Sequence, residues 1–188
     1  MNQKKYVKRI LFITLSNIGD VVLTTPVLIR LSQIYQDAIF DIVGDSRSEI
    51  LFKNCPFINK FFKKDKSKGF RGVINLIRNI RRTEYDVAVD LRSDGLLYFI
   101  KAKKKYYKIR NKNCHSVEKH YLSLRDSMEN IPKPEVWISE TEKTNAKKLL
   151  HLSYKNILAI GLGANSRHKI WPVKFYAQLS NMLKNKYD

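Results

Sequence analysis

Residues 10–26, ILFITLSNIGDVVLTTP, constrain the fold of this chain more than any other segment. The apolar beginning of the segment is typical of a strand buried on both faces, and its amphipathic end is typical of a helix. Ser16, Asn17 and Gly19 supply turn residues between the two. In open α/β sheets, ligands bind just beyond the carboxyl end of such a strand, which is where Asp20 lies. The segment therefore predicts a strand, a ligand loop and a helix.

The same alternation of apolar strands and amphipathic helices continues through the first 130 residues. Further strands are predicted at 39–43, 57–62 and 86–91, and helices at 47–54, 72–82 and 115–130. Residues 95–100 and 106–109 fit neither pattern clearly. Strands that alternate with helices in this order predict an α/β fold with a parallel, doubly wound sheet.

Pro132 and Pro134 interrupt this rhythm, because prolines two residues apart favour extended chain over helix. We therefore predict a first domain at 1–130, a linker and helix at 131–156, and the beginning of a second domain at 157–188. The last segment contains a predicted strand at 157–161 and a helix at 172–186. One strand and two helices cannot bury a core of their own, so this tail either packs on the first domain or belongs to a larger one.

The chain carries 36 lysines and arginines against 17 acidic residues, a formal net charge of +19. Such a charge favours nucleic acid, an anionic membrane surface or a phosphorylated substrate as partner. The basic residues cluster at 63–71, 77–82 and 101–112, where solvated loops and helix faces are the simpler explanation. No RNA-recognition, zinc-finger or helix-turn-helix pattern accompanies them, which makes nucleic acid the least expected partner.

Hydropathy and cysteine content favour a cytoplasmic protein. No apolar run approaches the roughly 20 residues of a membrane-spanning helix, and no cleavage site of a signal peptide follows the basic start. Cys55 and Cys114 show no metal-binding spacing and are too few for a disulfide framework. We expect both thiols to be reduced, and we expect no bound metal.

Two interpretations of Asp20 are open from the sequence. Its loop lacks the glycine pattern of a dinucleotide site and the Gly-Lys-Ser/Thr of a P-loop. A carboxylate at the start of a helix is stabilised by the free N–H groups, so Asp20 can simply be an N-cap, which the spacing alone favours. The alternative is that Asp20 is a general base at a ligand site.

The segment 163–172, GANSRHKIWP, is the second candidate site, since it lies between a predicted strand and a predicted helix. Backbone N–H groups, the hydroxyl of Ser166 and the charges of Arg167 and Lys169 suit the binding of a diphosphate. The alternative is a basic interdomain loop with Trp171 in the core.

LSNIGDVVLTTP near the start and GANSRHKIWP after the linker together resemble motifs of glycosyltransferase family 9, the bacterial heptosyltransferases of lipopolysaccharide core assembly. NCPFINKFF at 54–62 and YDVAVDLRSDG at 85–95 are similar to family segments in the same order. The resemblance covers essentially the whole chain. One departure is Arg92, which stands where the family has glutamine.

The resemblance implies a GT-B type fold, with a Rossmann-like acceptor domain first and a Rossmann-like nucleotide-sugar domain second, of which this chain holds only the beginning. It implies transfer of heptose from ADP-heptose to the lipopolysaccharide inner core with inversion, and no cofactor or metal. Asp20 then acts as the general base, and Lys169 matches the cation at the donor diphosphate. Ser166 and Arg167 are expected to bind the same diphosphate because of their place in the loop. The remaining expected substrate-binding residues are Ser16, Asn17, Gly19 and Thr24.

The resemblance also implies an anionic, lipid-linked core oligosaccharide as acceptor and a peripheral position on the cytoplasmic face of the inner membrane. The basic clusters then acquire a role, since lysines near an anionic surface attract it. Two alternatives stay open: transfer of a different sugar on the same fold, or a non-catalytic basic fragment that binds anionic glycolipid or nucleic acid.

Overall fold

The computed structural model describes residues 8–65, 67, 69–110, 113–150, 157–164 and 166–184. The chain divides into two compact units, Met1–Trp137 and Ile138–Asp188. Several parts of the sequence predictions lie outside the described residues: residues 66, 68, 111 and 112 of the basic clusters, the end of the predicted linker at 151–156, Asn165 of the second motif, and the last two residues of the predicted helix at 172–186.

A five-stranded parallel sheet forms the centre of the first unit. Its strands are β1 (Arg9–Ile13), β2 (Ile39–Gly44), β3 (Ile58–Lys63), β4 (Tyr85–Asp90) and β5 (Ala102–Tyr107). Their spatial order is β3-β2-β1-β4-β5, and every neighbouring pair is parallel. The predicted parallel, doubly wound α/β sheet is therefore confirmed.

The described part of the first unit contains four α-helices: α1 (Ile18–Val22), α2 (Thr25–Ile34), α3 (Gly69–Ile80) and α4 (Ser116–Tyr121). Successive residues of β1 point to opposite faces, so that Phe12 packs with α2 and α4 while Leu11 packs with α3. Both faces of the sheet are thus covered, which explains why β1, β2 and β4 read as nearly continuous apolar runs.

Gly44 at the end of β2 is required by close packing. A Cβ atom there would lie 2.8 Å from Cζ of Phe61, 2.9 Å from Oγ of Ser48 and 3.2 Å from Cγ2 of Thr14. Any larger residue must displace one of these groups. The glycine therefore keeps the ends of β1 and β3 close to the chain that leaves β2.

Two helix predictions in the first unit were wrong in type or length. The helix predicted at 47–54 is a 3-10 helix, Ser46–Phe52, which begins after the N-cap Asp45. The helix predicted at 115–130 ends at Tyr121 and continues only as a 3-10 turn, Leu122–Leu124. Arg125 then adopts the left-handed conformation, with φ of 54°. Local periodicity could not reveal this, because the chain turns where Asp126 meets Arg30 of α2, at 2.5 Å.

The two unassigned segments also have definite structures. Residues 95–100 contain a 3-10 helix, Leu96–Phe99, and residues 106–107 end β5. Leu96 and Leu97 are buried against the α3 side of the sheet, whereas β5 is an edge strand with a mixed burial pattern. No residue of β5 is fully buried, which explains why its lysine-rich sequence lacks the apolar run that marks the inner strands.

The second unit contains α5 (Glu140–Leu149), a 3-10 turn (Arg167–Lys169) and α6 (Val173–Leu183). The first helix begins with a capping box between Ser139 and Glu142 and lies within the segment predicted as linker and helix at 131–156. The second lies within the helix predicted at 172–186. The strand predicted at 157–161 is wrong, because residues 157–161 form no strand pairing. An apolar run becomes a strand only where a neighbour accepts its backbone hydrogen bonds. No described residue of this unit is fully buried.

Among the described residues, no helix has the length and apolar content needed to cross a membrane.

Candidate functional site

The carboxyl ends of β1 and β4 lie side by side and form the switch point of the sheet. Ile13 pairs with Val43 on one side and with Asp90 on the other. From β1 the chain passes through α2 on one face to β2, whereas from β4 it passes through Leu96–Phe99 on the other face to β5. Ligands of open α/β sheets bind at such a point, because the two connections leave a crevice between them.

The loop after β1 is fixed from behind by two buried threonines. The backbone N–H of Thr14 donates to the carbonyl of Val43 at 2.9 Å, which extends the β1–β2 ladder. The hydroxyls of Thr14 and Thr24 share a hydrogen bond of 2.8 Å, and Thr24 in turn donates to the carbonyl of Val21 at 2.7 Å. Because Thr24 is fully buried, its side chain holds the loop in place, and it is not among the groups we propose to contact substrate.

Asp20 is the third residue of α1, and the N-cap is Asn17. The N-cap interpretation of Asp20 was therefore wrong. The side-chain amide of Asn17 makes no capping bond and instead donates from Nδ2 to Oδ2 of Asp20, at 2.9 Å. Asp20 is exposed, and a carboxylate in the first turn of a helix is favoured there by the helix dipole.

The other predicted residues of this loop are close to Asp20 in sequence and are not fully buried. Ser16 is half-buried, and Gly19 lies within α1, where an added Cβ would meet no atom within 4 Å. The structure thus places Ser16, Asn17, Gly19 and Asp20 in one open segment directly after β1. Such a segment can present a carboxylate and polar groups to a ligand.

His120 of α4 adds a group that the sequence analysis did not single out. Its imidazole is almost fully buried, and Nδ1 has no hydrogen-bond partner among the described residues. Burial lowers the pKa of His120 to about 4; the positive charge of Lys108 acts in the same direction, and the negative charge of Asp20 opposes both. A neutral imidazole therefore lies within electrostatic range of the candidate base.

A second histidine, His115, has a different role at the start of α4. His115 and Glu118, one turn apart, form the capping box of α4: Nδ1 of His115 accepts from the N–H of Val117 at 3.3 Å. Oε2 of Glu118 accepts from the N–H of His115 at 3.0 Å. The one sequence signal for His120 is its position next to Tyr121 on the apolar face of α4, where a histidine is buried.

The loop after β4 is held by its own carboxylate. Oδ1 of Asp90 accepts from the N–H groups of Arg92 and Ser93 at 2.8 and 2.9 Å, and burial raises the pKa of this carboxyl. Ser93 has φ of 62°, a left-handed conformation that is uncommon for serine. Asp94 then pairs with Nζ of Lys64 after β3 and with Nε of Arg92, the latter at 2.8 Å. The Lys64–Asp94 pair thus joins the loop after β3 to the loop after β4, the strands that flank β2 and β1 in the sheet.

The second motif lies in the second unit. The carbonyl of Ser166 accepts from the N–H of Lys169 at 2.9 Å, which closes the 3-10 turn, and both Arg167 and Lys169 are exposed. Trp171 is 44% exposed, so the interpretation that buries it in a core was wrong. Its ring stacks on Phe175, with centroids 5.4 Å apart.

Trp171 also has an edge contact with Tyr176, with centroids 5.0 Å apart. The hydroxyl of Tyr176 donates to the carbonyl of Gly161 at 3.2 Å, so the start of α6 is tied to the segment before the motif. The motif is thus an exposed basic turn braced by aromatic rings. Among the described residues, no cluster of histidine, cysteine and carboxylate side chains is suited to hold a metal ion.

Comparison with known proteins identifies the fold. The chain is similar to the glycosyl transferase family 9 structure from Veillonella parvula DSM 2008, with a TM-score of 0.79 and 21% identity over 97% of this chain. It is also similar to E. coli ADP-heptose lps heptosyltransferase II, with a TM-score of 0.71 and 21% identity over 95% of this chain. For E. coli heptosyltransferase WaaC with ADP the TM-score is 0.64, at 16% identity over 93% of this chain. No family model and no curated protein sequence matches the chain.

These structural matches establish the fold class, which is α/β with the Rossmann-like sheet of GT-B type enzymes. The predicted fold class is thereby confirmed. The chain spans 62% of the length of each of the first two structures and 64% of the third. It therefore corresponds to somewhat less than two thirds of each of these longer chains.

Proposed function

We propose that this chain is part of a sugar transferase of the glycosyltransferase family 9 type, in which the first unit supplies the base and the second binds the donor. The observation that carries the proposal is the placement of Asp20. It is an exposed carboxylate beyond β1, beside the switch point of the sheet, and it is oriented by Asn17. The similarity to structures named as glycosyltransferases supports the same assignment.

In the proposed reaction, an acceptor hydroxyl oxygen attacks the anomeric carbon of a nucleotide-activated sugar. The bond between that carbon and the diphosphate oxygen breaks, and the configuration of the carbon is inverted. Asp20 takes the proton of the hydroxyl, and the nucleoside diphosphate leaves with the bonding electron pair. A base contributes about 10²- to 10⁴-fold to such a step when it lies within hydrogen-bond reach of the proton it removes.

The second unit is proposed to bind the diphosphate. Lys169 and Arg167 present exposed positive charges on one 3-10 turn, beside the half-buried Ser166. Cations and N–H groups arranged in this way stabilise the negative charge that grows on a phosphate leaving group. Because this charge stabilisation comes from the protein, the proposed step has no need of a metal.

The finer assignment is transfer of heptose from ADP-heptose to the lipopolysaccharide inner core. Two of the similar structures are named as heptosyltransferases, and one of them as a complex with ADP. The net charge of +19 suits an anionic, lipid-linked acceptor at the cytoplasmic surface of the inner membrane. A peripheral position at that surface is part of the proposal.

The test is a transfer assay with ADP-heptose and a heptose-free lipopolysaccharide acceptor, with mass spectrometry of the glycolipid product. We expect the chain to add one heptose, and Asp20→Asn to reduce the rate about 10²-fold or more. Asp37→Asn is the matched control, because Asp37 is also exposed and asparagine tolerates its φ of 62°.

Equal rates for Asp20→Asn and the parent would remove Asp20 from the reaction. Absence of transfer by the parent chain, with binding of neither ADP-heptose nor acceptor, would overturn the proposed function. Transfer from a different nucleotide sugar alone would keep the reaction type and overturn the heptose assignment.

A further inference from the structure

The edge strand β5 presents lysines on one face. Lys103 and Lys105 alternate with Lys104 and Tyr106, so the two pairs point to opposite sides of the sheet. Tyr106 packs against the core that contains α2 and α4, and Nζ of Lys104 lies 4.8 Å from the centroid of its ring. The opposite face, which is shared with Leu96–Phe99, therefore carries Lys103 and Lys105.

Exposed aromatic rings lie beside these lysines. Tyr98 is 76% exposed and Phe99 61%, both at the end of the 3-10 helix that precedes β5. The ring of Tyr98 also contacts that of Tyr107, with centroids 5.8 Å apart. We call the set the β5 patch; its residues are Tyr98, Phe99, Lys101, Lys103, Lys105 and Tyr107.

A groove of about 650 Å³ runs along the patch and has a positive lining. Its charged lining residues are Arg81, Lys101, Lys103, Lys105 and Glu84, four cations and one acid. One further acid is near: Lys103 pairs with Asp86 at 2.8 Å. Positive charge therefore exceeds negative charge on this face.

Lysines on an edge strand have a simple explanation, since they prevent the edge from pairing with another strand. That explanation does not account for two large rings exposed next to them. A phenyl ring exposed to water loses the free energy that burial would provide. Aromatic rings beside lysines are the combination found where a protein meets the boundary between water and lipid.

We propose that the β5 patch is the surface by which this chain docks on an anionic phospholipid bilayer. Tyr98 and Phe99 enter the headgroup region, and Lys101 lies where it can meet lipid phosphates. The proposal locates the membrane association that is part of the proposed function. It concerns binding alone and can be tested without a sugar donor or an acceptor.

Charge and ring geometry favour lipid over nucleic acid as the occupant. The rings of Tyr98 and Tyr107 are inclined by 34° and pack on each other, so they do not form an open slot for a base. The cations within the patch are lysines, which act as point charges and lack the bidentate geometry of arginine. Lysines and exposed rings of this kind suit a partner that offers dense negative charge above an apolar layer, which is what an anionic bilayer provides.

The test is sedimentation of the chain with vesicles of equal parts phosphatidylglycerol and phosphatidylcholine, compared with vesicles of pure phosphatidylcholine. We expect binding to the anionic vesicles only, weakened by 0.5 M salt. Replacing both rings, in Tyr98→Ser with Phe99→Ser, should weaken binding by roughly tenfold or more. Lys101→Glu should weaken it by about tenfold, since it reverses one charge.

Two control variants outside the β5 patch test whether vesicle binding depends on the patch or only on the net positive charge of the chain. Phe70→Ser removes a ring that is 79% exposed and also lies beside a basic run, and Lys133→Glu reverses an exposed charge outside the patch. Both should bind anionic vesicles within about twofold of the parent. Circular dichroism of each variant checks that the fold is kept.

Three results would overturn the proposal: equal loss with the control variants, no binding of the parent to anionic vesicles, or patch variants that lose binding to a single-stranded RNA oligonucleotide but keep vesicle binding. If vesicle binding fails while sugar transfer succeeds, the docking surface is rejected and the transferase remains. If transfer fails while the patch binds vesicles, the transferase function is rejected and the docking surface remains.

Discussion

Nδ2 of Asn17 donates a hydrogen bond to Oδ2 of Asp20 at 2.9 Å, across the first turn of α1. This contact restricts the rotamers of an otherwise exposed carboxylate. A base that must remove a proton in one geometry loses rate when it can rotate away from it.

Asn17→Ala should therefore lower kcat for sugar transfer by about tenfold and leave the KM of the donor unchanged. Asn17→Asp replaces the attractive contact with a repulsive one, because it places a second carboxylate beside Asp20. Steady-state kinetics with ADP-heptose give both constants. A normal kcat in Asn17→Ala would show that the bond to Asp20 has no role in transfer.

Lys169 supplies an exposed charge on the 3-10 turn of the second unit. Lys169→Ala should raise the dissociation constant of ADP-heptose by roughly 10- to 100-fold, which is the value of a charge-assisted bond to phosphate. Calorimetric titration measures this constant directly. Lys147→Ala on α5 is the control, since that lysine is also exposed in the same unit. Equal affinities for the two variants would exclude Lys169 from the donor site.

His120 should make the protein less stable in mild acid. Its pKa is lowered to about 4 by burial, whereas the pKa of histidine in an unfolded chain is about 6.5. Between these values the unfolded chain binds a proton that the folded chain does not. The free energy of unfolding therefore decreases as the pH falls from 6.5 towards 4, by about 2 kcal/mol between pH 6.5 and 5 from this group.

Urea unfolding at pH 6.5 and pH 5 measures this difference. In His120→Phe, which keeps a ring but cannot bind a proton, the difference should be smaller by about that amount. An unchanged difference would mean that the imidazole is not held neutral by burial.

Asp41 is a carboxylate inside the sheet whose partners are Tyr85 and Asn59. The hydroxyl of Tyr85 donates to Oδ2 at 2.8 Å, and Nδ2 of Asn59 donates to Oδ1 at 2.9 Å. Tyr85→Phe removes one donor and leaves a buried acceptor unpaired, which should cost about 1 to 3 kcal/mol. The midpoint of urea unfolding reports it. Tyr107→Phe, at an exposed ring, should change stability by less than about 0.5 kcal/mol.

Strands β1, β2 and β4 could be predicted because their side chains are buried on both faces of the sheet. Phe12 and Leu11 lie on opposite faces of β1 and are both fully buried, so the strand is a continuous apolar run in the sequence. The edge strand β5 could not be predicted in the same way, since Lys103 and Lys104 are both exposed. The early end of α4 was also hidden, because it depends on the distant pair of Asp126 and Arg30.

Parts of the candidate site that are local in sequence could also be predicted, whereas parts that depend on packing or on hydrogen-bond partners could not. Asp20 and its loop are local in sequence, and strand and turn chemistry were enough to single them out. His120 was missed because its nearness to Asp20 is produced by packing of residues 100 positions apart. The role of Asn17 was missed for a different reason: turn propensity gives the position of an amide and does not give its hydrogen-bond partner.

The hydroxyl pair of Thr14 and Thr24 has a consequence for binding. Both side chains are fully buried, so the loop that carries Asp20 is attached to the interior before any substrate arrives. The entropy lost in ordering this loop is therefore part of folding and is not subtracted from the affinity for a ligand. A loop preorganised in this way favours rigid docking of a ligand over closure around it.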